Sequence, residues 1–156
     1  MSSPSPDSVP ATVAHGTVAG LVGVIAMTAF QRLVEMPLTG RQESYAPATL
    51  LEKVLPMAPK RGSARRRLNY AAHFGVGLTW GVTHALIARR ASLHGQRAVG
   101  TVFAVIYPGD VLGNTLLGLD KPWKWSLQDL TIDVGDKLLL AEVVGLTFDR
   151  LRGDAD

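Results

Sequence analysis

Ser8-Val-Pro-Ala-Thr-Val-Ala-His-Gly-Thr-Val-Ala-Gly-Leu-Val-Gly-Val-Ile-Ala-Met-Thr-Ala-Phe-Gln31 is a run of 24 residues without Asp, Glu, Lys or Arg. As a helix rising 1.5 Å per residue it is about 36 Å long, enough to cross roughly 30 Å of hydrocarbon. It predicts a first membrane span over about residues 11–31. The preceding residues, 1–10, are rich in Ser and Pro and carry one acid and no base. They are expected to form a disordered tail. A cleaved secretory signal requires a positively charged start, which this stretch lacks, so the span is expected to be retained.

Composition agrees with that reading. Of 156 residues, 47% are hydrophobic and 19% charged, against roughly 25% charged in an average soluble domain. The 16 glycines would weaken helices in water by about 1 kcal/mol at each interior position. Membrane helices use glycine to bring backbones together. Cysteine is absent, which excludes disulfides and thiolate metal sites. The pI near 9.5 suggests nucleic acid, but the net charge is only +3, and the basic residues flank apolar runs. That pattern belongs to a lipid bilayer partner and argues against nucleic acid.

Three further spans follow, over about residues 68–88, 98–119 and 130–151. The second has no formal charge, and the third is interrupted only by Asp110. The fourth is the weakest, because Asp129, Asp133, Asp136 and Lys137 crowd its first half and Glu142 interrupts its apolar core. Ser126 and Asp129 can cap that helix, and Trp123 and Trp125 before it suit an interfacial anchor. In the first connection, Pro47 to Leu55 reads as a short amphipathic helix, opened by Pro47 and stopped by Pro56 and Pro59. It is too short to span and is expected to lie in the interface. The predicted fold is all-α: an integral membrane bundle of four transmembrane helices with one interfacial helix.

Basic residues set the orientation. The first connection carries Arg32, Arg41, Lys53, Lys60, Arg61, Arg65, Arg66 and Arg67, and the tail before the first span carries none. A bacterial inner-membrane protein with its N-terminus outside and its first connection cytoplasmic is expected. Three spans would separate the remaining bases more cleanly than four do. Arg65, Arg66 and Arg67 are also candidates for anionic lipid headgroups.

Titratable groups inside apolar spans need a partner, water or a function. His73 and His84 lie in the second span, Asp110 in the third and Glu142 in the fourth. His73, Gly77, Trp80 and His84 share a helix face, but the histidines are about 16 Å apart along it, too far to share a metal. Pro108 should kink the third span beside Asp110, with Tyr107 and Asn114 on a similar face. If the fourth helix spans, Asp110 and Glu142 come to similar depth and would share a proton. Gly16, Gly20 and Gly23 stripe the first span, Gly77 and Gly81 the second, and Gly145 the fourth, as close helix packing requires. No phosphate loop, nucleophile elbow or paired-histidine zinc motif is present, so neither an enzyme nor a cofactor is expected.

Gly20-Leu-Val-Gly-Val-Ile-Ala-Met-Thr-Ala-Phe-Gln31, His73-Phe-Gly-Val-Gly-Leu-Thr-Trp-Gly81 and Pro122-Trp-Lys-Trp-Ser-Leu-Gln-Asp129 together resemble the YagU-like small bacterial inner-membrane proteins. The resemblance implies a multi-span inner-membrane protein without a defined reaction, and it transfers no catalytic residues. Lys137 stands where it would place a histidine, which weakens any borrowed pH-sensing role. Two functional readings remain. One is a non-enzymatic packing or accessory protein that uses its glycine faces to self-associate or to bind a membrane partner. The other is a small proton- or cation-handling protein using Asp110 and Glu142.

Overall fold

A computed structural model of the chain describes residues 8–55, 58 and 60–153. The first helix, α1, starts at Val9 with Ser8 as N-cap, whose side chain accepts from the Ala11 amide at 3.3 Å. Of the expected tail, residues 1–7 lie outside the described residues, while Val9 and Pro10 are already helical. α1 does not stop at Gln31. It continues through a π-helical turn at Gln31–Glu35 and a last turn at Met36–Thr39, ending where Gly40 takes a left-handed φ of 69°. Pro37 cannot bond the carbonyl one turn back and its ring crowds it; the wider π turn accommodates both. Among the described residues, Val9–Thr39 is the one helix long and apolar enough to cross a membrane.

Helix α2, Ala46–Val54, is the short amphipathic helix expected in the first connection. The prolines expected to stop it, Pro56 and Pro59, lie outside the described residues. Its N-terminus has no cap of its own. The cap comes from Asn69, whose Oδ1 accepts from the Ala48 amide at 3.1 Å while its Nδ2 donates to the Ser44 carbonyl at 2.8 Å. Asn69 lies on α3, Gly62–Arg90, which begins six residues before the expected span and takes in Arg65, Arg66 and Arg67. Helix α4, Gly95–Leu116, runs on through Pro108. Helix α5, Leu127–Arg152, opens with the predicted capping box: Ser126 Oγ accepts from the Asp129 amide at 3.1 Å, and Asp129 accepts from the Ser126 amide at 3.0 Å.

The helices form one all-α bundle, with α1 packed against both α3 and α5, and α4 laid against α5 and the end of α3. Glycine makes the α1–α3 contact possible. A Cβ on Gly16 would meet the Ala85 Cβ at 2.7 Å, and one on Gly20 the Gly77 carbonyl oxygen at 2.5 Å. On Gly77 and Gly81 it would strike Val24 and the Gly16–Gly20 backbone. Gly23 admits Val144, and Gly145 admits Val99. The glycine stripes therefore face each other inside one chain. Backbone-to-backbone proximity maximises dispersion contacts that no larger residue would allow. The core beside this seam is built from Ala19, Val24, Trp80, Ala85, Leu140, Val144 and Phe148.

Candidate functional site

Asp129, Asp133, Asp136 and Lys137 stand at i, i+4, i+7 and i+8 along α5, on one helix face. That face lines a cavity of about 450 Å³ between α1, α3, α4 and α5, at the end of the bundle that carries the first connection. Lys137 Nζ donates to Asp110 Oδ2 on α4 at 2.8 Å and to Asp133 Oδ1 at 3.2 Å. The Tyr107 hydroxyl donates to Asp133 Oδ2 at 3.0 Å, and its ring lies under Lys137 Nζ. Asn114 Nδ2 donates to Asp110 Oδ1 at 3.2 Å. Gln31, at the end of the apolar part of α1, donates to Asp136 Oδ2 at 2.7 Å. Deeper in the wall, His73 Nε2 pairs with Thr28 Oγ1 at 3.0 Å. At the mouth, Arg41 pairs with Glu35 at 3.6 Å, and Arg32 pairs with Glu43 at 3.0 Å and touches Tyr70.

Charge in this cavity is unbalanced. Seven carboxylates line it (Glu35, Glu43, Asp110, Asp120, Asp129, Asp133 and Asp136) against three basic side chains, Arg32, Arg41 and Lys137. Asp136 is only 8% exposed, and its Oδ1 has no hydrogen-bond partner. A buried carboxylate oxygen without a donor is costly. At the mouth, burial pushes the Asp120 carboxyl above the usual range, with Asp133 adding repulsion. The Ser126 hydroxyl and amide hold Asp129 below it.

Of the expected polar site, the structure brings together Asp110, Tyr107, Asn114 and His73. It separates Glu142 and His84. Glu142 accepts from Gln96 Nε2 at 2.8 Å, near the start of α4 and fourteen residues from Asp110. Fourteen residues of helix is about 21 Å, so the Asp110–Glu142 proton-sharing pair does not form. Antiparallel packing of α4 and α5 places Lys137, rather than Glu142, opposite Asp110. His84 is fully buried at the other end, edge-on to Phe148 with ring centroids 5.8 Å apart, and neither ring nitrogen has a hydrogen-bond partner. Of the three arginines proposed for headgroups, Arg65 turns onto α2, bonding Thr49 at 3.2 Å with its guanidinium over the Tyr45 ring. Arg66 and Arg67 remain exposed.

Sequence reasoning missed Asp133, Asp136 and Lys137 as site residues. Their spacing on one face of α5 was the available signal. No cluster of His, Asp and Glu suited to a metal ion occurs among the described residues. No protein-family model, curated protein or solved structure matches the chain.

Proposed function

We propose that this chain is a four-span protein of the bacterial inner membrane, N-terminus outside and first connection cytoplasmic, which binds a proton or monovalent cation in the acidic cavity. Two features support the membrane reading. Helices α3, α4 and α5 have 29, 22 and 26 residues, or about 43, 33 and 39 Å at 1.5 Å per residue. The bundle also carries large apolar side chains on its outer face. Leu21 and Ile25, Leu86, Val105 and Leu112, and Leu138 and Leu146 are exposed on α1, α3, α4 and α5 in turn. A helix in water would turn charged residues outward instead. Of the charges that weakened the fourth span, Asp129, Asp133, Asp136 and Lys137 gather in the cavity, as intramembrane charges require, while Glu142 pairs with Gln96. The YagU-like resemblance accords with this layout.

The excess of carboxylates in the cavity carries the functional reading. Asp110 and Asp133 share the one ammonium of Lys137, and buried Asp136 keeps a carboxyl oxygen without a donor, so this wall offers more acceptors than donors and attracts a cation. The glycine faces are consumed within the chain, so assembly through them has no support from the packing.

Thermal unfolding in nanodiscs tests the reading, with methylammonium, Na⁺ or K⁺ replacing N-methylglucamine at constant ionic strength. A ligand at 100 times its Kd stabilises by about 2.7 kcal/mol. A saturable rise in Tm with at least one cation is expected, lost in Asp136→Asn and retained in Glu142→Gln. If no cation changes Tm, or Asp136→Asn responds like the unsubstituted protein, the reading fails.

A further inference from the structure

A second space adjoins the acidic cavity. Between α2, α3 and α4 runs an apolar groove of about 560 Å³, walled by residues such as Leu51, Gly75, Thr79, Val105 and Ile106. It shares Val76, Trp80 and Asp110 with the acidic cavity. Val105 is 59% exposed on its rim, so the groove faces the bundle exterior, where lipid lies in a membrane-spanning bundle. At the junction, Trp80 is 3% exposed and its indole N–H has no partner. Asp110 lines both spaces, its carboxylate held by Lys137 and Asn114. Gly75 opens the groove further, since a Cβ there would meet nothing within 4 Å.

An acidic chamber that shares a wall at Val76, Trp80 and Asp110 with an apolar, outward-facing slot matches a molecule with the same division. The geometry points to an amphiphilic amine as the ligand: a protonated amine head among Asp110, Asp133 and Asp136, and an alkyl chain along the α3–α4 groove. This inference rests on the cation-binding reading and adds the tail. The head supplies positive charge and N–H donors, and Asp136 Oδ1 is an acceptor without a donor. A charged head drawn from the bilayer into this chamber exchanges lipid-headgroup water for carboxylates. The chain stays in an apolar setting throughout and crosses no polar barrier. A small inorganic cation would leave the groove without a role. An anionic amphiphile would meet seven carboxylates.

The test places a reporter at the junction. In a variant whose only tryptophan is Trp80 (Trp123→Phe with Trp125→Phe), dodecylammonium brominated mid-chain is added to nanodiscs. Saturable quenching of Trp80 is expected, with affinity about tenfold above that of brominated dodecanol. Unbrominated dodecylammonium should compete. Asp136→Asn should abolish the preference for the charged head, whereas Gly75→Leu should block quenching and leave methylammonium stabilisation intact. Equal quenching by the neutral and the charged chains would overturn the inference. If methylammonium raises Tm and brominated dodecylammonium does not quench, the site takes small cations only, so the amphiphile falls and the cavity reading stands. If neither binds, the amphiphile falls, and if Na⁺ and K⁺ also leave Tm unchanged the cavity reading falls with it.

Discussion

Lys137 on α5 reaches across to Asp110 on α4 and donates to its Oδ2 at 2.8 Å. The ammonium is shared with Asp133 one turn earlier, so a single cation balances carboxylates from two helices. This bond orients the cavity wall and decides which charges remain available to a ligand.

Removing one member of that pair should cost stability. The side chains of Lys137 and Asp110 are 21% and 26% exposed, so water screens part of the attraction and the loss should fall below the 3–5 kcal/mol of a fully buried pair. Lys137→Met is expected to lose about 1–3 kcal/mol in reversible unfolding from mixed micelles. The double variant Asp110→Asn/Lys137→Met should recover part of that loss. Strict additivity of the two single losses would show the residues to be uncoupled.

Gly77 and Gly75 lie two residues apart on α3 and should respond oppositely to a methyl group. At Gly77 the added Cβ strikes Val24, and the expected cost of Gly77→Ala is about 1–3 kcal/mol. At Gly75 nothing lies within 4 Å, so Gly75→Ala should be neutral or stabilising by up to about 1 kcal/mol. Because the seam is within one chain, the Gly77→Ala loss should not depend on protein concentration. A loss that shrinks as concentration rises would place the seam between copies.

Two aspartates flanking the turn before α5 should give stability opposite dependences on pH. Asp120 titrates above the usual range because burial disfavours its charge. Its favourable contribution is complete below the unfolded pKa and is lost as pH rises through the folded pKa. Asp120→Asn should therefore be more stable than the parent at neutral pH, with the advantage fading in acid. Asp129 titrates low because Ser126 bonds its charged form. Its contribution is present above the unfolded pKa and is lost as pH falls through the folded one. Asp129→Asn should be less stable at neutral pH and match the parent in acid. Chemical denaturation between about pH 3 and 7 would check both signs; parallel profiles would refute the assignment.

The absence of cysteine makes topology directly measurable. Single cysteines at Ser63 and Lys124 should label from the cytoplasmic side. Those at Ser8 and Ser92 should label from the other. Labelling of Ser92→Cys and Ser63→Cys from the same face would eliminate the second span.

Much of this bundle was legible along the chain. The charge-free run after Ser8, the Ser126–Asp129 box and the proline-opened helix at Ala46 depend on contacts within one or two turns, and each begins close to where it was expected. The overshoot of α1 from Gln31 to Thr39 went unread because no residue before Gly40 supplies a left-handed stop, and the π turn that admits Pro37 leaves no simple periodic mark. Asn69 as the cap of α2 was also unreadable, since it sits 21 residues from the amide it serves.

The sequence by itself determined where helices run and which of their faces are small, apolar or charged, because a 3.6-residue period is a local property of the backbone. It could not determine which faces meet. Gly16 and Gly20 were equally suited to a second copy and to Gly77 and Gly81 until α1 and α3 closed on each other. Asp110 was matched with Glu142 until antiparallel packing set it opposite Lys137 instead. Partner choice between helices depends on rotation and axial offset, and those are set by the packing of all the helices together.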